Sequence, residues 1–164
     1  MKVNVSALFR EWGLPDYLVK MGKKGLRWRQ PLEKGIAWYW FAKYIRERDF
    51  KKYQSCISCG RRVENVEELQ CGHFKPAQNC GNILLLDEQN NNGECGGCNA
   101  FDEGHIHGYR KNLIARIGVK AVERLDEMYE EAKRNILGPE HAPKSKAEWE
   151  HIANTYRAKC TYEL

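Results

Sequence analysis

Two Cys-x-x-Cys turns, Cys56-Ile-Ser-Cys59 and Cys95-Gly-Gly-Cys98, constrain the fold of this chain more than any other feature. Each turn can direct two thiolates at one point, so together they supply the four tetrahedral sulfurs that a structural Zn²⁺ prefers. A four-thiolate site has no open position for substrate; it staples a fold and does no catalysis. The chain carries seven cysteines. In a reducing compartment the paired four read as metal ligands and not as a disulfide framework. Cys71, Cys80 and Cys160 lack this spacing and are expected to be small buried hydrophobes.

With 164 residues the chain is long enough for one compact α+β unit with appendages. Its net charge of +5, from 27 basic against 22 acidic side chains, favours a polyanionic partner where the basic groups share a surface. No stretch approaches the roughly 18–20 apolar residues of a membrane span, and the residues after Met1 lack the order of a secretory leader. The expectation is a cytoplasmic protein with no membrane partner.

Ile36, Trp40, Phe41, Tyr44 and Ile45 recur at helical intervals and predict an amphipathic helix from Pro31 to Phe50. Ahead of it, after a short mixed segment from Val5 to Trp12, the basic run from Lys20 to Arg29 is broken by Gly22 and Gly25. It reads either as a solvated linker or as a basic arm with Trp28 for stacking on nucleic acid. Residues 53–105 have the glycine spacing of short strands and tight turns, with Leu69-Gln-Cys-Gly-His73-Phe74 as a strand bearing one histidine. Helical periodicity returns through Leu113, Ile117, Val122, Leu125 and Tyr129, interrupted near Gly118, and Ser145-Lys-Ala-Glu148 forms a capping box for a last helix. Three segments result: a basic segment at 1–30, a zinc-stapled core with flanking helices at 31–137, and a C-terminal helix within 138–164.

The order of these motifs is specific: a CxxC, then Gly72-His73, then Asn90 five residues before the second CxxC, then Asn99 directly after it. It resembles the zinc-stapled ββα-metal (HNH, His-Me finger) nucleases. A wider set of stretches is similar to the NinG/Rap family of lambdoid phage recombination proteins: Tyr44-Ile-Arg-Glu-Arg-Asp49, Cys56 to Gly60, Gly72-His-Phe74, Cys95 to Asn99, and Tyr109-Arg110 through Gly118 with Ala121-Val122. That resemblance covers about residues 38–135. It implies a metal-dependent endonuclease that cuts branched DNA, such as Holliday junctions and D-loops, in the bacterial host of a phage. It assigns His73 as general base, Asn90 as the residue that orients it, and Asn99 as a ligand of a catalytic Mg²⁺ or Mn²⁺.

The chain departs from this pattern at one place. Where most ββα-metal nucleases have an aspartate ligand directly before the histidine, it has Gly72. Asp102, one turn beyond Asn99, is the preferred substitute; Glu103 and Asp87 are further oxygen donors, and His105 or His107 would suit a softer metal. Asp102 and Glu103 fit equally well as charges at a helix start, and the two histidines as DNA contacts or surface residues.

Lys75, Arg61, Arg62, Arg110, Lys111 and Arg116 flank the site in sequence and are the candidate phosphate contacts. The expected partner is DNA, branched or with single-stranded regions, and the two-fold symmetry of a junction suits a homodimer through the long helices. Two other readings share these residues: a non-catalytic zinc-dependent DNA-binding module, in which Gly72 marks a decayed metal site, and a nonspecific nuclease of the same fold.

Overall fold

A computed structural model describes residues 4–21, 31–76, 81–101, 106–134 and 144–160. The described residues up to Tyr44, with those from Lys144 on, form one compact unit, and those from Ile45 to Arg134 form another. No helix among them is long and apolar enough to cross a membrane.

The first unit is helical. It contains α1 (Val5–Glu11), α2 (Asp16–Met21), the first part of α3 (Leu32–Tyr53) and α8 (Lys146–Lys159). The two short N-terminal helices were not expected from sequence, because each is too brief to show a helical period. Their ends are locally fixed: the Asn4 side chain accepts from the Ala7 N–H, and Gly13 turns the chain at φ +65°. Gly22 to Arg29 of the basic run, with Trp28, lies outside the described residues. Helix α3 begins next to Pro31, as expected, and runs three residues beyond Phe50. It buries Ile36, Ala37, Trp40 and Phe41. Trp40 Nε1 donates to Trp12 O at 3.1 Å, and Phe41 meets Tyr156 of α8 edge-on at 4.8 Å. The capping box of α8 forms as read, Ser145 Oγ accepting from the Glu148 N–H and Glu148 from the Ser145 N–H.

In the second unit the end of α3 leads into the first CxxC turn, a 3₁₀ turn at Val66–Glu68, β1 (Leu69–His73), α4 (Gly81–Leu85), β2 (Asn91–Cys95), α5 (Gly96–Phe101), α6 (Ile106–Ile117) and α7 (Val119–Arg134). The strands pair antiparallel, Leu69 opposite Cys95 and His73 opposite Asn91. Strand β2 therefore runs through the second CxxC directly into α5, a ββα order. Part of the apolar run Ile83–Leu86, expected among strands and turns, lies instead in the short helix α4. The break between α6 and α7 falls at Gly118, whose φ of +87° suits glycine alone.

The core of this unit joins Ile57 of the first CxxC turn, Phe74 directly after the histidine, Leu84 of α4, Tyr109 and Leu113 of α6, and Val122 and Leu125 of α7. Burying each large side chain contributes about 1.5–3 kcal/mol. Helix α6 lies against the first CxxC turn: Asn112 Nδ2 donates to Ile57 O at 2.7 Å. A methyl group on Gly108 would fall far inside contact with Ser58 O, which is backbone and cannot give. Gly108→Ala should thus lower stability by about 1–3 kcal/mol in urea unfolding. Gly97→Ala in α5, where a methyl group meets nothing within 4 Å, should not.

Candidate metal centre and catalytic hairpin

The four sulfurs of Cys56, Cys59, Cys95 and Cys98 lie within 4.8 Å of one another. The Cys59–Cys95 separation is 3.9 Å, against about 3.8 Å for the edge of a zinc–thiolate tetrahedron with bonds of about 2.3 Å. The cluster fits a four-coordinate Zn²⁺. The first turn is closed by Gly60 N–H donating to Cys56 O at 3.0 Å, with Gly60 at φ +73°. The second is tied to it by Cys95 N–H donating to Cys56 Sγ at 3.3 Å. Burial pushes the Cys56 and Cys98 thiols up. Burial also raises Cys95, but hydrogen bonds from the Cys98 backbone and the neighbouring thiols outweigh it and hold that group at about 7. Four sulfurs this close cannot all ionise unless a cation sits among them.

His73 ends β1, and its Nε2 is buried. The main chain is held on both sides of it. Tyr109 Oη donates to Gly72 O at 3.0 Å, and Phe74 N–H donates to Asn90 O at 2.8 Å. Lys75 N–H donates to Asn90 Oδ1 at 2.8 Å, while Asn90 Nδ2 donates to Lys75 O and to Leu84 O. The amide of Asn90 is therefore spent on backbone and not on the imidazole. Asn90 thus holds the main chain of the two residues that follow His73. Tyr109 shares this work from α6, and nothing in its sequence surroundings marks it for that.

Strand alternation puts Gln70 and Gly72 on one face of β1 and Leu69, Cys71 and His73 on the other. Asn99 of α5 donates from Nδ2 to Gln70 Oε1 at 2.7 Å, so α5 covers the face that carries Gly72. Glu94 stands opposite Gln70 on β2, and Ser58 Oγ donates to its carboxylate. Nothing in the sequence singled Glu94 out. Asp102, Glu103 and His105 lie outside the described residues, as does the side chain of His107. Asp87 Oδ1 accepts from the N–H groups of Gln89 and Asn90, both at 2.8 Å, and so shapes the turn before β2.

Behind β2 lies a buried ionic brace. Asp49, fully buried, accepts from Arg48 Nε at 2.7 Å, from Arg116 Nη1 at 3.1 Å and from Gly93 N–H at 2.6 Å. Arg48 also donates to Glu88 O and Asn91 O. Arg116, expected as a phosphate contact, is 9% exposed, 3.7 Å over the Tyr53 ring and part of this brace. The other expected contacts reach solvent to different degrees. Lys75 and Arg110 share Asp126, at 2.5 Å and 2.7 Å, and Arg61 meets Glu68 at 3.2 Å. Arg62 and Lys111 are exposed.

A family model described as Bacteriophage Lambda NinG protein matches residues 19–161. Similar proteins include Protein ninG of Salmonella phage P22, 35% identical over 107 residues, which are 65% of this chain and 49% of that protein. Protein ninG of Escherichia phage 933W is 35% identical over 83 residues, covering 51% of this chain and 39% of its own. That of Escherichia phage lambda is 34% identical over 83 residues, covering 51% and 38%. The chain thus spans about half, or less, of the length of these curated relatives. No solved structure matches. Fold and site define a mostly helical α+β protein with a small hairpin and a four-cysteine cluster able to hold a metal. The chain belongs to the NinG family of bacteriophage proteins.

Proposed function

We propose that this chain is a metal-dependent DNA endonuclease of the ββα-metal (HNH, His-Me finger) type that cuts branched DNA during phage recombination, in the cytoplasm of the host. One observation carries the reading. His73 closes a hairpin whose second strand continues through the CxxC into the helix bearing Asn99, so the imidazole, the carboxamide and the sulfurs of Cys95 and Cys98 are held by one ββα element, to which the cluster ties Cys56 and Cys59.

A neutral imidazole can take a proton from the attacking water at near-neutral pH. With the backbone fixed at Gly72, Phe74 and Lys75, His73 has little freedom to lose when substrate arrives, which favours the reactive geometry. Asn99 and Gln70 offer carboxamide oxygens on the α5 face, the donor type that Mg²⁺ and Mn²⁺ take. A divalent ion held by such oxygens within reach of the phosphate that His73 serves would offset the charge that builds on it and on the leaving oxygen. Lys75 and Arg110, partly exposed and paired with Asp126, could exchange that carboxylate for a DNA phosphate. A homodimer would match the two-fold symmetry of a four-way junction.

Incubating the purified chain with a labelled four-way junction, matched duplex and matched single strand, with Mg²⁺ or Mn²⁺ and then EDTA, tests this. Metal-dependent cutting that favours the junction is expected. Equal cutting of all three substrates would make it a nonspecific nuclease. Binding without cutting under either metal would leave a zinc-dependent DNA-binding module.

A further inference from the structure

We propose that Asp126 of α7 is an internal stand-in for phosphate: it occupies a DNA-phosphate site built from Lys75 and Arg110 and holds back binding until a strand displaces it. The proposal rests on the reading above for DNA as the partner, and not for its being cut. One carboxylate faces both cations. Arg110 Nη1 donates to Asp126 Oδ1 at 3.0 Å and Nη2 to Oδ2 at 2.7 Å, while Lys75 Nζ stands 2.5 Å from Oδ1. A phosphodiester presents the same edge of two oxygens to a guanidinium fork and a lysine. Arg110 holds the Asp126 carboxyl below the usual carboxylate value against the opposing effect of burial, so the stand-in is charged at neutral pH. Glu123, exposed and one turn earlier on α7, acts on Arg110 through its field.

The two cations are anchored independently of the carboxylate. Lys75 Nζ lies 4.7 Å from the centre of the Phe74 ring and 5.3 Å from that of Tyr129, and the Arg110 guanidinium lies 5.7 Å from that of Phe74. Phe74 is itself fixed in the core, so both cations keep an aromatic support when Asp126 leaves. The main chain of Lys75 is held by Asn90. Lys75 follows His73 by two residues, at most about 7 Å of chain, so a phosphate held here lies within a few nucleotides of one that His73 serves. The cluster is open to solvent, the side chains of Lys75, Arg110 and Asp126 being 19%, 40% and 29% exposed. Pairs this exposed are weak, each within about fivefold in an equilibrium constant. A DNA phosphate, which also releases counter-ions on binding, can therefore displace the carboxylate.

Binding of a labelled duplex and a labelled four-way junction to the zinc-loaded full chain tests the assignment, read by fluorescence anisotropy at low salt with no Mg²⁺ or Mn²⁺ added. Asp126→Asn keeps the shape and removes the charge, and should tighten binding by about three- to tenfold. Glu131→Gln removes the same charge from an exposed position of α7 that pairs with neither cation, and should change affinity by about twofold at most. Arg110→Ala should cost more in the Asp126→Asn background than in wild type, since only there is the guanidinium released from its carboxylate beforehand. In every variant the cobalt–thiolate bands of the cysteine site should match wild type and report an intact fold. Three outcomes overturn the proposal: Asp126→Asn binding no more tightly than wild type, a gain no larger than that of Glu131→Gln, or Arg110→Ala costing the same in both backgrounds. If wild type cuts DNA in Mn²⁺ and Asp126→Asn binds no more tightly, the stand-in fails and the nuclease reading stands. If Asp126→Asn gains affinity as expected while neither protein cuts, the reverse holds.

Discussion

Stripping the metal from Cys56, Cys59, Cys95 and Cys98 should unfold the hairpin unit outright, and Cys95→Ser should do the same. The cluster is tied to both halves of that unit: Ile57, between its first two cysteines, is fully buried in the core and donates its N–H to Gly93 O of β2 at 2.9 Å. Releasing the sulfurs frees core and strand together. Structural zinc contributes an apparent binding energy of about 10–16 kcal/mol at neutral pH, comparable to or above the roughly 5–15 kcal/mol of a whole domain. The chain with cobalt in place of zinc should show the absorption of a four-thiolate site, lost in Cys95→Ser along with much of the helical circular dichroism. Because binding displaces protons from thiols, affinity should fall as pH drops through and below the value of about 7 held by Cys95. A metal-free chain that keeps its helical signal and its urea midpoint would contradict this.

Asp49→Asn should be the most costly single change outside the cysteines, at about 3–5 kcal/mol in urea unfolding. The substitution removes a fully buried charge that faces two arginines and the Gly93 N–H, and it leaves the guanidinium of Arg116 buried without its counter-ion. The comparison is Asp126→Asn. That carboxylate also meets two cations, but at the surface, so its loss should cost no more than about 1 kcal/mol. Replacing Asp49 and Arg116 together by Leu and Met should cost less than Asp49→Asn alone, since no charge then stays behind. Equal losses for Asp49→Asn and Asp126→Asn would mean that the brace does not hold β2.

The elements legible in the sequence were those with a period or a ligand pattern. Helix α3 showed itself through Ile36, Trp40 and Phe41, α8 through its capping box, the break at Gly118 through glycine, and the metal cluster through CxxC spacing. Strand β2 had no local signal. Asn91-Asn-Gly-Glu-Cys95 contains no good strand former; it is extended because β1, Asp49 and Arg48 bond to it from far along the chain. For the same reason Arg116 read as one more surface cation and Glu94 as one more acid, since only register and burial distinguish them. The stretch Tyr44 to Asp49 resembles the family without a visible reason in the sequence, and the buried bonds of Arg48 and Asp49 supply its physical basis.

The central claim is that His73 activates water on a bound phosphodiester. Its most direct test is single-turnover cleavage of a labelled four-way junction in Mn²⁺ by wild type and His73→Ala, with junction affinity measured in parallel. Loss of a general base should slow cutting by about 10²–10⁴-fold while affinity and the cobalt spectrum of the cysteine site stay unchanged. Cleavage by His73→Ala at the wild-type rate, with equal binding, would contradict the account.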